Sequence, residues 1–158
     1  MDVQLRPMRD DEFAGWLPKM RDDYGQAMID DGGVLPEAAR EKAAADCEQL
    51  FPGGRPSAEQ LVFVLEAEGE AVGELWLCKR DDMGRPCLFV YDIHVADAYR
   101  GRGYGKAAML LAEEEARRRG IDRIALNVFG RNEVARRLYL SLGYAENAIA
   151  MSKSLDAG

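Results

Sequence analysis

Glycines at alternate positions constrain the fold of this chain more than any other short feature. They lie in a cationic loop that follows an apolar segment ending at Val95 and leads into a helical pattern. The glycines are Gly101, Gly103 and Gly105, and the cations are Arg100, Arg102 and Lys106. Alternate glycines cost backbone entropy without packing a side chain, so a turn that merely starts a helix is the weaker interpretation. Because the first N–H groups of a helix attract anions, the loop predicts a diphosphate site.

The segments around this loop predict a mixed sheet covered by helices. A strand at residues 3–8 and two helices come first, and the second helix covers residues 35–50. Strands at 60–67, 71–80 and 87–95 are separated by short turns, which is typical of an antiparallel meander. A helix at 103–119, a strand at 124–128 and a helix capped by Asn132 follow. This order indicates an α+β fold, and 158 residues predict one domain spanning 1–158.

Two segments depart from regular patterns. Pro18 lies within the helical spacing of the first helix and removes a backbone donor, so we expect that helix to be broken. The last segment, residues 144–155, alternates poorly, but we expect it to add a final strand to the sheet.

Two common phosphate-binding motifs do not account for the loop. In a P-loop, Lys106 would be followed by Ser or Thr to bind magnesium, but Ala107 follows, and Arg100 replaces the required first glycine. The dinucleotide pattern G-x-G-x-x-G/A matches formally from Gly103 onward. Its context differs, because the preceding strands read as antiparallel and the next strand lacks the acid that binds ribose. A dinucleotide-binding oxidoreductase therefore stays only as a minor alternative.

Composition disfavours several other classes of protein. Three cysteines without C-x-x-C spacing and a single histidine argue against a disulfide framework and a histidine-based metal site, so no metal is expected. The net charge of -7 disfavours nucleic acid as a partner. The longest apolar run, residues 61–65, is too short to cross a membrane, and residues 1–7 do not resemble a secretory signal. We therefore expect a cytoplasmic protein.

Two linked motifs resemble those of a known family. Residues 100–105, Arg-Gly-Arg-Gly-Tyr-Gly, resemble the R/Q-x-x-G-x-G/A pyrophosphate loop of the GCN5-related N-acetyltransferases, abbreviated GNAT. Downstream, Asn132-x-x-Ala135 and Leu138-Tyr139-x-x-x-Gly143-Tyr144 resemble the family's second motif block. The resemblance is sharp over residues 90–144. It implies a GNAT-like acyl-CoA N-acyltransferase fold, with a mostly antiparallel central sheet flanked by helices, and acetyl transfer from acetyl-CoA to a primary amine.

The resemblance also implies where acetyl-CoA binds. The pantetheine arm would lie along strand 90–95 and bond backbone groups of Ile93 and Val95, with Asn132 and Ala135 at the edge of its channel. Loop amides would hold the diphosphate, in a loop comprising Arg100, Gly101, Arg102, Gly103, Tyr104, Gly105 and Lys106. The N–H near Val95 would face the thioester oxygen. The amine would attack directly in a ternary complex, without a covalent enzyme intermediate.

Tyr139 is the candidate catalytic acid. It lies four residues after Ala135 and seven after Asn132, so the three share one helix face. A phenol with a pKa of about 10 is protonated at neutral pH and can protonate a departing CoA thiolate. In isolation, a tyrosine at this spacing is more simply part of the core edge, but the surrounding motif favours the catalytic role.

The base that removes the amine proton is less sharply indicated. In many relatives a glutamate on the central strand serves, but Tyr91 stands at that position here. Asp92 and His94 are close by, yet strand alternation points them away from Tyr91, so they reach the site only if the strand bulges. Glu74, on the neighbouring strand, could act through water. Asp92 and Glu74 therefore stay equal candidates for the base.

Other functions and partners stay open at this point. A non-catalytic acyl-CoA-binding module on the same fold is the main alternative, and Tyr139 argues against it. The acidic balance favours a cationic acceptor, either a small-molecule amine or a lysine-bearing peptide. An open sheet edge near the final strand would allow a homodimer.

Overall fold

The computed structural model describes residues 2–156, which form five strands and four helices. The strands are β1 Val3–Pro7, β2 Gln60–Ala67, β3 Glu70–Asp82, β4 Arg85–Val95 and β5 Ile124–Leu126. The helices are α1 Asp10–Asp30, α2 Pro36–Leu50, α3 Tyr104–Arg118 and α4 Glu133–Ser141. Within these residues, no helix is long and apolar enough to cross a membrane.

The strands form one sheet in the order β1-β2-β3-β4-β5. The first four strands pair antiparallel with their neighbours, and β5 runs parallel to β4. The predicted meander is therefore confirmed, and β2 has the predicted bounds. The fold class is confirmed as well, because a mixed, mostly antiparallel sheet lies between two pairs of helices.

Apolar side chains pack these helices onto both faces of the sheet. On one face, α3 and α4 cover a layer that includes the fully buried Leu75, Leu77, Leu88 and Met109. On the other face, α1 and the end of α2 cover an aromatic cluster whose contacting rings have centroids 4.9 to 5.9 Å apart. The rings belong to Phe13, Trp16, Phe51 and Trp76. The sheet is thus covered by one helix layer on each side.

The first helix is continuous, so the expected break at Pro18 is wrong. α1 includes Pro18 in its interior. The proline lacks the N–H that would bond the carbonyl of Ala14, but both residues are exposed, so water can satisfy that carbonyl. The opposite side of the helix is anchored by its buried residues, among them Phe13, Trp16 and Met20. This packing holds the two halves of α1 in line.

β4 contains a bulge at Tyr91, where its pairing with β5 has already ended. Val90 and Asp92 face consecutive residues of β3, so Tyr91 is an extra residue on β4. Pairing with β5 stops at Val90. Because a bulge bends and twists its strand, β4 turns away from β5 beyond this point. β5 correspondingly ends at Leu126, two residues before its predicted end.

The predicted final strand over residues 144–155 is wrong. Residues 144–156 form neither helix nor strand. The apolar side chains of Ile149, Met151 and Leu155 are 71%, 91% and 85% exposed. Poor alternation gives this segment no continuous apolar face to bury against the sheet. The outer edge of β5 is therefore unpaired within residues 2–156.

The cysteines are free thiols that lie in the core. Cys47, Cys78 and Cys87 are all buried. Burial raises the pKa of each thiol, so all three are protonated at neutral pH.

Replacement of a fully buried leucine tests the packing of α3 on the sheet. Leu77 is 0% exposed, so Leu77→Ala should lower the free energy of unfolding by about 2 to 5 kcal/mol through lost burial and a residual cavity. Urea denaturation measures this change. Leu155→Ala, at a position 85% exposed, is the matched control and should change stability by less than about 0.5 kcal/mol. Equal effects of the two variants would contradict the packing described above.

Candidate active site

The bulge leaves one edge of β4 open beside the glycine loop. From Asp92 to Val95, β4 pairs with β3 only. The N–H of Ala96 donates to β3 at 2.9 Å. Successive N–H groups of a strand point to opposite edges, so those of Val95 and Ile93 point to the open edge. Both backbone positions predicted to hold the pantetheine arm thus lie where an extended ligand can add as a strand.

The glycine loop joins β4 to α3 in a conformation that glycine favours. Gly101 and Gly103 have φ angles of 74° and 85°, in the left-handed region where other residues are strained. The first α3 hydrogen bond is donated by Ala107. The residues before it have N–H groups without a partner in the helix, namely Tyr104, Gly105 and Lys106. These groups and the helix dipole form a site for an anion such as a diphosphate.

The two loop arginines contact the loop itself and the end of β4. The Nε–H of Arg100 donates to the carbonyl of Val95 at 3.1 Å, and its guanidinium lies 3.1 Å from a carboxylate oxygen of Asp97. The guanidinium of Arg102 lies 5.6 Å from the centre of the Tyr99 ring. Arg100 therefore positions the loop against β4, a role that its sequence position alone did not indicate.

A cavity, here called the β4–β5 cavity, opens where these two strands part. α4 and the end of α1 close its sides. Its lining includes Tyr91, Asp92, Ile93, Asn127, Asn132 and Tyr139. Asn132 caps α4 as predicted, because its Oδ1 accepts a hydrogen bond of 3.2 Å from the N–H of Ala135. The cap fixes the start of α4 and so directs Tyr139 into the cavity.

Tyr139 has a packed ring and an available hydroxyl. The ring contacts the core under α3 and lies 6.0 Å from the ring of Tyr144. Burial, with a smaller effect of the Asp92 charge, raises the pKa of Tyr139, so the phenol is protonated at neutral pH. The core and catalytic interpretations of this residue are thus compatible, because the ring packs while the residue also lines the cavity.

A second cavity, here called the α1 cavity, lies between α1 and the sheet. Its ionisable lining comprises Glu12, Lys19, Asp23, Glu74, Asp92 and His94. An apolar wall is formed by Met8, Trp16 and Met20. Asp92 lines both cavities and so lies where they meet. The structure therefore brings Asp92 and Glu74 together in one cavity, and Asp92 and Tyr139 together in the other.

The bulge explains how Asp92 reaches this junction. Tyr91 stacks on Trp76 with ring centroids 4.5 Å apart, on the face of the sheet that α1 covers. Asp92 and His94 line the cavity on that same face. The condition stated for these two side chains to reach the site, a bulge in the strand, is therefore met, because the extra residue in β4 shifts the alternation.

Burial is the main influence on the ionisation of Asp92. It raises the pKa of this carboxyl to about 6. The charge of His94 lowers that pKa, whereas those of Glu74 and Asp23 raise it. Asp92 is therefore mostly ionised at pH 7, yet it binds a proton roughly a hundredfold more tightly than an ordinary aspartate. Such a carboxyl is suited to accept a proton near neutral pH.

Glu74 and His94 form a pair that sequence reasoning missed. Nδ1 of His94 lies 2.8 Å from Oε2 of Glu74, and each side chain is 32% exposed. The two residues are direct neighbours across β3 and β4. The hydrogen bond to Glu74 raises the pKa of His94, and burial partly opposes that effect. Only the register of the two strands could have revealed the pair.

Comparison with known proteins places this geometry in context. A model described as the Acetyltransferase (GNAT) family matches residues 17–144 of the chain. The chain is 32% identical to the "Uncharacterized N-acetyltransferase YycN" of Bacillus subtilis (strain 168), with 98% of this chain and 100% of that protein covered. It is 31% identical to the "Uncharacterized N-acetyltransferase YdgE" of the same organism, with 98% and 99% covered.

Solved structures agree with the sequence comparison. The crystal structure of YycN from Bacillus subtilis matches with a TM-score of 0.89 at 32% identity, covering 98% of this chain and 99% of that chain. Aminoglycoside N-acetyltransferase AAC(6')-Iy in complex with CoA matches with a TM-score of 0.64 at 18% identity, covering 98% and 96%. The second likeness extends to the fold alone.

Loss of the Glu74 carboxylate should lower the pKa of His94 toward its ordinary value of about 6.5, because the hydrogen bond to Glu74 is the main cause of the rise. The chain has one histidine, so an NMR titration of the imidazole measures this pKa directly. Glu74→Gln is the test variant, and Glu68→Gln, in the exposed turn between β2 and β3, is the control.

The same pair predicts a pH dependence of stability. Since folding raises the pKa of His94, the stabilisation is complete below about pH 6.5 and is lost as the pH rises through the folded-state pKa. Urea denaturation of wild type and Glu74→Gln across this range measures the difference. Identical pH dependence in the two proteins would contradict the assigned cause.

Proposed function

The chain belongs to the GNAT family of acetyltransferases, and we propose that it moves the acetyl group of acetyl-CoA to a primary amine by direct attack in a ternary complex. The observation that carries the proposal is the position of Asp92 at the junction of two cavities, one of which Tyr139 also lines. The proposal treats residues 1–158 as a single catalytic domain.

The donor side of the site fits acetyl-CoA in two respects. The open edge of β4 presents the N–H of Val95 to an extended amide-bearing arm, and the N–H of Ile93, which also bonds the Asp92 carboxyl, lies at the same edge. The N–H groups at the start of α3 suit a diphosphate, and the left-handed glycines Gly101 and Gly103 let the backbone approach it. Acetyl-CoA supplies an acetyl thioester when bound. Asn132 and Ala135 would border its channel from α4.

Asp92 is the group that accepts the amine proton. A primary amine has a pKa of about 10.4, so about one molecule in a thousand is neutral at pH 7, equivalent to roughly 4 to 5 kcal/mol. The raised pKa of Asp92, about 6, brings its proton affinity closer to that of the amine while leaving it mostly ionised. An amine in the α1 cavity therefore meets a carboxylate that can take its proton as attack proceeds.

Glu74 takes a positioning role in this scheme. Its carboxylate is bound to His94 at 2.8 Å, whereas Asp92 has no side-chain partner of this kind. Glu74 thus holds the imidazole in the cavity, and the imidazole charge lowers the pKa of Asp92. This division supports Asp92 over Glu74 as the proposed base.

Two groups act on the thioester side. The N–H of Val95, at the open edge of β4, would stabilise negative charge that develops on the acetyl oxygen. Tyr139 donates its phenolic proton to the departing thiolate, a transfer that its protonated state at neutral pH allows. Asp92 and Tyr139 therefore handle the two protons of the reaction separately.

Thiol release from acetyl-CoA in the presence of pooled primary amines tests the proposal as a whole. Release that depends on the amine supports transfer, and splitting the active pool identifies the acceptor. Tight binding of acetyl-CoA without release from any pool would support a non-catalytic acyl-CoA-binding module instead. Binding of NAD(P)H without competition from CoA would favour the oxidoreductase alternative.

Removal of the Tyr139 hydroxyl tests the catalytic acid. Tyr139→Phe should lower kcat about tenfold or more, because the thiolate then leaves without a positioned proton donor. Acetyl-CoA affinity, measured by calorimetry, should change little. Tyr144→Phe is the matched control, since that neighbouring hydroxyl lies 3.4 Å from Glu113 of α3. An unchanged kcat in Tyr139→Phe would remove this assignment and leave the transfer reaction standing.

Removal of the Asp92 carboxylate tests the base. Asp92→Asn should lower kcat by about a hundredfold or more. In the wild type, the rate should fall as the pH drops through about 6, because a protonated carboxyl cannot accept the amine proton. The variant should lack this step in its pH–rate profile. Asp30→Asn, an exposed acid at the end of α1, is the control, and a wild-type profile in Asp92→Asn would contradict the proposal.

A further inference from the structure

Four carboxylates line the α1 cavity, and one of them has neither a partner nor a part in proton removal. Glu12 is held by Arg6, whose guanidinium donates to it at 2.7 and 3.0 Å. Glu74 is held by His94 at 2.8 Å. Of the four acids that line the cavity, this leaves Asp92 and Asp23 without a cationic partner. Asp92 receives the reacting amine, so Asp23 has no role in the chemistry described so far.

Asp23 is placed to act on the same ligand as Asp92. It lies on α1 and lines the α1 cavity with Asp92. Its charge is one of those that raise the pKa of Asp92, so the two carboxylates influence each other. Within residues 2–156, the nearby Arg21 lies 3.9 Å from Asp22, and Asp23 forms no ion pair. A cation brought by the ligand would therefore reduce the repulsion between Asp23 and Asp92.

The rest of the cavity suits an aliphatic chain. Met8, Trp16 and Met20 supply apolar surface to the same cavity. Methylene groups gain free energy when they leave water for such surface. Carboxylates and apolar surface in one cavity match a ligand in which methylene groups separate ammonium groups.

Lys19 and His94 are the cationic groups that line the cavity, and only Lys19, which no carboxylate of residues 2–156 holds, argues for a different ligand. It lines the α1 cavity, lies four residues before Asp23, and forms no ion pair within residues 2–156. A lysine could hold the carboxylate of an amino acid. That carboxylate would, however, face both Asp23 and Asp92, so the balance of charge in the cavity favours a second cation.

We propose that the acceptor is an aliphatic diamine or polyamine whose reacting amine lies at Asp92 and whose second ammonium is held by Asp23. This inference rests on the transfer reaction proposed above and specifies its substrate class. Asp23 is a specificity residue: it binds the part of the acceptor that does not react. The overall charge of -7 assists the approach of such cations.

Acceptors with and without a second ammonium test the inference, and putrescine and butylamine share a four-carbon chain. Acetylation of putrescine and spermidine is compared with that of butylamine, which lacks the second charge. The diamines should show kcat/KM about fivefold higher than butylamine, the difference expected for one partly exposed ion pair. Asp23→Asn should remove this preference by raising KM for the diamines but not for butylamine, and any change in kcat through the pKa of Asp92 should be the same for both amines.

Two further variants separate the role of Asp23 from a general effect of charge. Asp22→Asn removes the same charge from the adjacent position, which does not line the cavity, and should keep the preference for diamines. Lys19→Met removes the opposing cation and should strengthen that preference. Thermal unfolding confirms that each variant is folded.

The outcomes distinguish failure of this inference from failure of the transfer reaction. If butylamine matches putrescine, or if Asp23→Asn does not change the ratio, the inference is overturned while the transferase stands. The inference would also be overturned if the wild type acetylated an amino acid faster than putrescine and Lys19→Met lost that difference. Calorimetric titration with spermidine gives a readout without turnover: binding that Asp23→Asn weakens supports the site even if no amine is acetylated, and absence of binding overturns it.

Discussion

The structure depends on one extra residue in β4. Tyr91 interrupts the pairing register with β3, and beyond Val90 the strand no longer pairs with β5. The resulting gap exposes a backbone edge, opens the β4–β5 cavity, and turns Asp92 onto the face that α1 covers. A regular strand would have continued its pairing and buried the same backbone groups in hydrogen bonds. The functional geometry is therefore a consequence of a local irregularity in an otherwise regular sheet.

The bulge also places a carboxyl where solvation is poor. Burial alone would favour a neutral Asp92, but the imidazole of His94 opposes it, and Glu74 promotes the protonated form of that imidazole. Asp92, His94 and Glu74, which lie on two strands, thus together determine the pKa of Asp92. Stability and the proposed chemistry are coupled here. A change in any of these three residues alters both the charge in the α1 cavity and the pKa of Asp92.

Sequence patterns predicted the helix and strand bounds that depend only on neighbouring residues. α2 begins at Pro36 and ends before Pro52, and the bounds of β2 follow from its large apolar residues and the turn residues that flank it. Continuity of α1 through Pro18 could not be predicted, because it depends on packing from elsewhere in the chain. The meeting of Glu74 with His94 depends on strand register, and the bulge has no signature in composition. Pairwise contacts between distant segments therefore account for most of what sequence reasoning missed.

The two sides of the proposed site use different kinds of groups, which explains why only one of them has a sequence motif. The proposed donor side is built from backbone N–H groups and glycines between Ile93 and Lys106, so a short segment encodes it. The proposed acceptor side is built from side chains on α1, β3 and β4, which come together only in the folded chain. Substitutions on α1 can change its charge without disturbing the loop before α3. Acceptor preference can therefore diverge among proteins that keep the same donor site.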